Sequence, residues 1–338
     1  MPRPASALTA FLVLTTMWGC SGGGGSPTSP TEQAGPLSFT VAPIDPATLQ
    51  YIVPLGNMGP WAHTLPTDHA YFYHHLQSGT FVPVPVLAPA AGVVNNTYPG
   101  TNGEVKLWIQ VNSRFTYYFD HLVPAPGMTV GARVEAGAVV GTSPGAALDF
   151  AVRDMDSPVG YIVPSRYGMD SLYGQSPMKY FVEPLRSQFY AKVQRVGGDP
   201  DGQVNFDVDG TLSGNWFAES LPTNATSSAD MNVGTRQLAF ARDVRFPDRQ
   251  RVSIGGFSFT GLYGVPPDAP DFASITPASG QVVYRLLEMG EPGGPAGTRQ
   301  LGLVVVELLE PRRLRIEVVP EQRTSTASFS EAAAIYVR

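Results

Sequence analysis

Val105-Lys-Leu-Trp-Ile-Gln-Val111, with Phe115-Thr-Tyr-Tyr-Phe119 close behind it, decides the fold class. In the first run Val105, Leu107, Ile109 and Val111 alternate with Lys106, Trp108 and Gln110. That is the period of two of a strand with one face buried and one exposed. A helix would instead repeat its apolar residues every three to four positions. Working outward, Val82-Pro-Val-Pro-Val-Leu-Ala-Pro89, Gly92-Val-Val94 and Ala138-Val-Val-Gly141 also read as strands. The segment 154–179 has little periodicity and reads as a loop-rich excursion.

Composition agrees. The chain has 338 residues, 43% hydrophobic and 15% charged, which suits two domains of ordinary size. Its 36 glycines and 32 prolines imply frequent turns, and long amphipathic repeats are absent. The expectation is an all-β protein. A net charge of -6, with no basic patch, argues against a nucleic-acid partner.

The only cysteine, Cys20, excludes an internal disulfide. It follows Arg3, an apolar stretch from Ala7 to Trp18, and Gly19, the layout of a secretory signal. The stretch is too short for a comfortable membrane span. A small residue followed by Cys here resembles the lipobox of bacterial lipoproteins, in which the thiol is lipidated after cleavage. Residues 1–20 are therefore expected to be a lipoprotein signal with Cys20 lipidated, and 21–36, rich in Gly, Ser and Pro, a flexible tether. Ser21 after Cys20 does not resemble the Asp that retains some lipoproteins at the inner membrane, so the outer membrane is the preferred location.

A turn cluster, Gly197-Gly-Asp-Pro-Asp-Gly202, lies near a boundary placed at 185/186. Residues 37–185 form the first expected domain and 186–338 the second, a β-barrel or β-sandwich. Second-domain strands are expected at Gln203-Val-Asn-Phe-Asp-Val208, Gln237-Leu-Ala-Phe-Ala241, Arg251-Val-Ser-Ile254, Val282 to Leu287, Leu301 to Leu308 and Arg313 to Val319. The chain end, through Tyr336 and Arg338, is expected to pair into that sheet.

All five histidines fall between His63 and His121, and such clustering points to a site. Along His69-Ala-Tyr-Phe-Tyr-His-His-Leu76 the period of two puts His69, Tyr71, Tyr73 and His75 on one face. Imidazole is a common zinc ligand, and carboxylates complete many catalytic sites.

Four pieces in order carry a resemblance. They are Val84-Pro-Val-Leu-Ala-Pro-Ala-Ala-Gly-Val-Val94, Tyr117-Tyr-Phe-Asp-His-Leu122, Val130-Gly-Ala-Arg-Val-Glu-Ala-Gly-Ala-Val-Val-Gly-Thr142 and Leu148-Asp-Phe-Ala-Val152. Together, over about 60–155, they resemble the lysostaphin/LytM-type zinc endopeptidases of peptidoglycan. That family holds zinc with an H-x-x-x-D motif and the second His of an H-x-H motif; a further His before Leu assists the water. The resemblance implies that His121 is the assisting His and His69 the first ligand. The family's Asp then falls on Tyr73, and H-x-H falls on Ala147-Leu-Asp149. An alternative frame uses His63 and Asp68, one residue too far apart. The ligand set is incomplete by that pattern. The leading expectation is an envelope lipoprotein that binds or regulates at the cell wall on a degenerate peptidase scaffold. Peptidoglycan or an envelope protein would be its partner, with Tyr71, Tyr73 and His75 lining the groove. The alternative is an active zinc endopeptidase using His69, Asp149 and either His63 or Asp68, with His121 relaying the proton.

Two further motifs need weighing. Asp207-Val-Asp209-Gly-Thr matches the nucleophile motif of haloacid-dehalogenase-type phosphatases, but alternating helices and a downstream Lys are missing, and both Asp residues read as turn residues. Gly214-Asn-Trp216 resembles the opening of lipocalin-type barrels and implies, at low weight, a ligand carrier with a cavity inside the second domain.

Overall fold

Alternating strands assemble two β units in succession. The computed structural model describes residues 37–338 apart from 75, 78–79, 226–229 and 291–295. Cys20, with its lipidation, and His75 lie outside the described residues.

The first unit contains β1 (Leu49–Val53), β2 (Ala70–His74), β3 (Leu76–Gln77), β4 (Thr80–Phe81), β5 (Val84–Leu87), β6 (Gly92–Pro99), β7 (Val105–Gln110), β8 (Phe115–Pro124), β9 (Arg133–Val134), β10 (Val139–Ser143), β11 (Ala147–Asp154) and β12 (Gly174–Gln175). Its sheet runs β1-β2-β11-β8-β7-β6-β9, with β10 joined to β5 and β8 and β12 beside β11. The short strands β3 and β4 pair separately. On one face, Phe72, Leu107, Ile109, Tyr117, Phe119, Leu148, Phe150 and Val152 enter a core closed by Phe39, Phe181 and Phe189. Each large apolar side chain buried there stabilises the fold by about 1.5–3 kcal/mol. Phe189 comes from the helix α2 (Leu185–Tyr190), so this core draws on residues up to Phe189 and Val204.

The residues between these strands' core positions share the opposite face. The excursion expected at 154–179 is folded over it and carries helix α1 (Met169–Tyr173). Gly174 lets it approach: a Cβ there would stand 2.7 Å from the Asp170 carbonyl and 2.9 Å from the Asp68 Cβ.

The second unit is a closed antiparallel barrel in chain order. Its strands are β13 (Gly214–Ala218), β14 (Gln237–Arg242), β15 (Gln250–Ile254), β16 (Gly261–Gly264), β17 (Val282–Met289), β18 (Ala296–Glu310), β19 (Arg313–Pro320) and β20 (Ala334–Val337). The chain end pairs as expected, β20 joining β19 to β13. Barrel, not sandwich, is the architecture. Its lumen is filled: Trp216, Leu238, Phe240, Ile254, Tyr284, Leu286, Val304, Val306, Leu314, Ile316 and Tyr336 pack as one cluster. Fully buried Trp216 donates its Nε1–H to the Leu212 carbonyl at 2.9 Å and lies under the Arg338 guanidinium, 4.1 Å from its ring.

One expected strand is absent. Gln203–Val208 is irregular because its Asn and Asp side chains take the backbone bonds a ladder would need. Asp207 N–H donates to Asn205 Oδ1, and the Asp207 carboxylate accepts from Asn215 N and Ile162 N. Asp207 is thus a structural turn residue, as its motif's poor context implied.

Candidate functional site

The site grows from register. Asp149 on β11 stands opposite Tyr71 on β2 and opposite Asp120 on β8. With His69 entering β2, these residues share the face away from the core, beside Lys106, Trp108 and Tyr118. His121 should by alternation point to the core. A bulge prevents this: Val105 pairs with Leu122 but Leu107 pairs with Phe119, so β8 holds one extra residue there. His121 takes a left-handed φ of 56° within that bulge. Bulges re-aim side chains, and this one turns the imidazole back toward Asp149 while Leu122 re-enters the core.

The result is a chain of alternating carboxylates and imidazoles. Glu104 Oε2 meets His121 Nδ1 at 2.9 Å, and His121 Nε2 stands 3.8 Å from Asp149 Oδ2. The same Asp149 oxygen lies 3.3 Å from His69 Nε2, and His69 Nδ1 lies 3.1 Å from Asp68 Oδ1. His69 Nε2 is also 3.0 Å from the Tyr71 hydroxyl. Asp68 is anchored further, accepting from the Tyr118 hydroxyl and from Ser171 Oγ, each at 2.7 Å. His121 is the open end, its side chain 57% exposed, whereas Asp149 at 4% and His69 at 8% are sealed.

Charge follows burial. Desolvation pushes the Asp149 carboxyl up to about 6, against the pull of both histidines. Burial opposes the charge on His69, but Asp149 and the Asp68 hydrogen bond outweigh it and raise its pKa. His121 is raised in the same way, by Asp149 and Glu104 against burial. Burial would raise Asp68, yet His69 and Lys106 hold it well below the carboxylate range. His63, whose ring packs edge-on 5.3 Å from His69, is lowered to about 3 by burial and by the neighbouring imidazole. It is therefore uncharged at neutral pH.

The sequence-expected residues therefore mostly meet. His69, Asp149, Asp68, His121 and Tyr71 form one network, with the His63 ring packed edge-on against it. Tyr73 lies one step along the strand, its ring stacked on Tyr51 at 4.5 Å. Tyr71, not Tyr73, is the residue opposite Asp149. The residues do not meet as metal ligands. Among the described residues no three His, Cys, Asp or Glu side chains form a group that could hold a metal ion. Both His69 nitrogens lie within 3.3 Å of carboxylates and His121 Nδ1 is bonded to Glu104, so three of the four ring nitrogens are turned to internal ion pairs, while His121 Nε2 stands 3.8 Å from Asp149. The donor set does not fit a zinc ion in this arrangement.

Lys106 and Asp170 escaped the sequence reading. Lys106 Nζ pairs with Asp170 Oδ2 at 3.0 Å and sits 3.8 Å above the Tyr118 ring. Asp170 also receives Trp108 Nε1 and Arg153. A lysine on a strand that alternates so cleanly, sharing its face with Trp108 two positions on, was the available signal.

The barrel abuts this face. Phe217, Leu221 and Val233 pack on Tyr161 and Tyr167, Thr64 Oγ1 donates to the Gly234 carbonyl at 2.9 Å, and Arg166 Nη1 to the Leu221 carbonyl at 2.9 Å. A cavity of about 40 Å³ remains beside His63, Asp68 and His69, with Gln237 of the barrel in its wall.

No protein-family pattern and no curated protein matches the sequence. Solved structures do. Csd3 of Helicobacter pylori is 15% identical over 43% of this chain and 33% of that one, with a TM-score of 0.29. A zinc-containing peptidase from Vibrio cholerae is 20% identical over 35% and 37%, with a TM-score of 0.29. The SpoIIQ–SpoIIIAH pore-forming complex is 11% identical over 45% and 95%, with a TM-score of 0.31. This chain thus spans about a third of the length of the first two.

Proposed function

We propose that the chain is an envelope lipoprotein whose sheet unit, on a scaffold resembling the LytM-type endopeptidases, binds cell-wall peptides without cleaving them. One observation carries the reading: His69 is committed through both nitrogens to Asp68 and Asp149, and His121 through Nδ1 to Glu104, with its Nε2 turned toward Asp149 at 3.8 Å. Binding of zinc would require that chain to be broken. The ion pairs instead fix the face as a charged, pre-organised floor, with Tyr71, Tyr73 and Tyr51 beside it and His121 open to solvent. Peptidoglycan is the favoured ligand and the lipid anchor at Cys20 would hold the protein near it, at the outer membrane.

A second reading, a zinc endopeptidase with a rearranged site, has one point in its favour. The Nε2 atoms of His69 and His121 both approach the same Asp149 oxygen.

Co-sedimentation with purified peptidoglycan, followed by analysis of released fragments, separates the two. The binding reading expects the protein in the pellet and no fragments. Zinc-dependent fragment release would overturn it.

A further inference from the structure

The barrel's outer wall carries a feature that the sheet site does not use. Between β16 and β17 only Gly264 and Leu287 pair, and the seam opens into a groove of about 940 Å³. That volume falls in the range of small-molecule sites. It is lined by Pro266, Pro267 and four arginines, Arg242, Arg249, Arg251 and Arg285.

These arginines are not equivalent. Arg242 pairs with Asp271 on the same wall. Arg251 is 1% exposed, and its guanidinium is fixed by Asp243 Oδ2 at 2.7 Å and the Gln250 carbonyl at 3.1 Å. Among the described residues its Nη2 has no hydrogen-bond partner. Arg249 rests over the Phe246 ring at 4.3 Å, and its Nη1 also has no hydrogen-bond partner among the described residues. A buried guanidinium donor left unmade is costly, so the unmet demand at this wall is for acceptors. Arg285 adds an exposed positive charge with no ion pair among the described residues. The rim also carries Asp248 and Asp268, which have no ion pair among the described residues either. These carboxylates would repel a polyanion and favour a ligand whose remainder is neutral or cationic.

We propose that this groove binds the carboxylate end of a free amino acid or short peptide, with guanidinium donors on the carboxylate and the rim aspartates near the amine. Planar guanidinium forks suit a carboxylate in two-point contact. The carrier role expected of the second domain then belongs to its outer wall, since the lumen is packed with side chains. This assignment is independent of the peptidoglycan reading of the sheet face.

The test is calorimetric titration of the full chain with glycylglycine, N-acetyl-glycylglycine and tripolyphosphate. Saturable binding of glycylglycine is expected, weakened about tenfold or more in each of Arg285→Gln and Arg249→Gln, the loss of a charge-assisted hydrogen bond. Both arginines are less enclosed than Arg251, and circular dichroism of each variant confirms that it is folded. N-acetylation, which removes the amine charge, should weaken binding, and tripolyphosphate should bind less well than glycylglycine. The proposal is overturned if glycylglycine shows no saturable binding, if both variants bind as the native chain does, or if tripolyphosphate binds more tightly.

Discussion

The outer face of the sheet and the lumen of the barrel are both enclosed, both aromatic and both built by strands of period two, yet they bury opposite things. The lumen encloses Trp216, Phe240, Tyr284 and their aliphatic neighbours in a single apolar cluster. The sheet face encloses Asp68, His69, Asp149 and Lys106, whose charges must be matched one against another. An apolar cluster is stabilised by area and tolerates rearrangement. A charged network is stabilised only while each member is satisfied, and it loses several interactions when one member is removed. Stability from buried apolar area is thus concentrated in the barrel and the sheet's inner core, while the network on the outer face holds only as long as its ion pairs are kept.

Perturbing the two regions should break this contrast if it is wrong. The largest effect is expected from the barrel. Trp216→Ala should lower stability by about 3–5 kcal/mol, the range for emptying a buried aromatic site, read as a shift of the denaturant midpoint. Next comes Asp68→Asn, nearly isosteric, which removes the charged acceptor for His69, Tyr118 and Ser171. A loss of about 1.5–3 kcal/mol is expected for a charge-assisted hydrogen bond, in the same unfolding assay. Should Asp68→Asn prove neutral, the network is not held by its charges. Smaller still, Tyr73→Leu keeps apolar bulk but removes the stack on Tyr51, worth about 0.5–1.5 kcal/mol. It should at the same time reduce co-sedimentation with peptidoglycan, which an equally destabilising change in the barrel should not.

The smallest effect at neutral pH concerns His63. Its folded pKa, about 3, lies below its unfolded value of 6.5. Neutral burial therefore contributes stability that is complete above pH 6.5 and is lost as pH falls from there toward 3. His63→Gln removes this titration. Melting curves of the native chain and the variant should differ least favourably for the native chain at pH 4 and converge or reverse at pH 7. A gap independent of pH would show that His63 is not buried in its neutral form.

Much of the fold was legible because alternation is a local property. Val105 to Val111 carried its own face assignment, and the strands at Gln237, Arg251, Val282, Leu301 and Arg313 all stand in the barrel. The failure at Gln203–Val208 is equally local in cause: Asn205 and Asp207 offer side-chain acceptors to nearby amides, and the pattern of apolar residues does not register that competition. The site was legible in its members but not in its wiring. Clustered histidines pointed to the right face and the resemblance grouped His69 with Asp149, yet alternation within either strand alone does not set them against each other, because their strands meet through the sheet. The bulge that turns His121 is set by pairing with β7, and the excursion that brings Asp170 to Lys106 and Ser171 to Asp68 depends on a tertiary approach. The resemblance indicated ligand positions. The distances show those positions joined to one another.

The measurement that bears most directly on this account is the zinc content of the purified full chain after loading with excess zinc and desalting, for the native protein and for His69→Ala. The committed imidazoles predict far less than one zinc per chain in both. One zinc per chain in the native protein, lost in His69→Ala, would contradict the account: the carboxylate–imidazole chain would then open to a metal, and the endopeptidase reading would take its place.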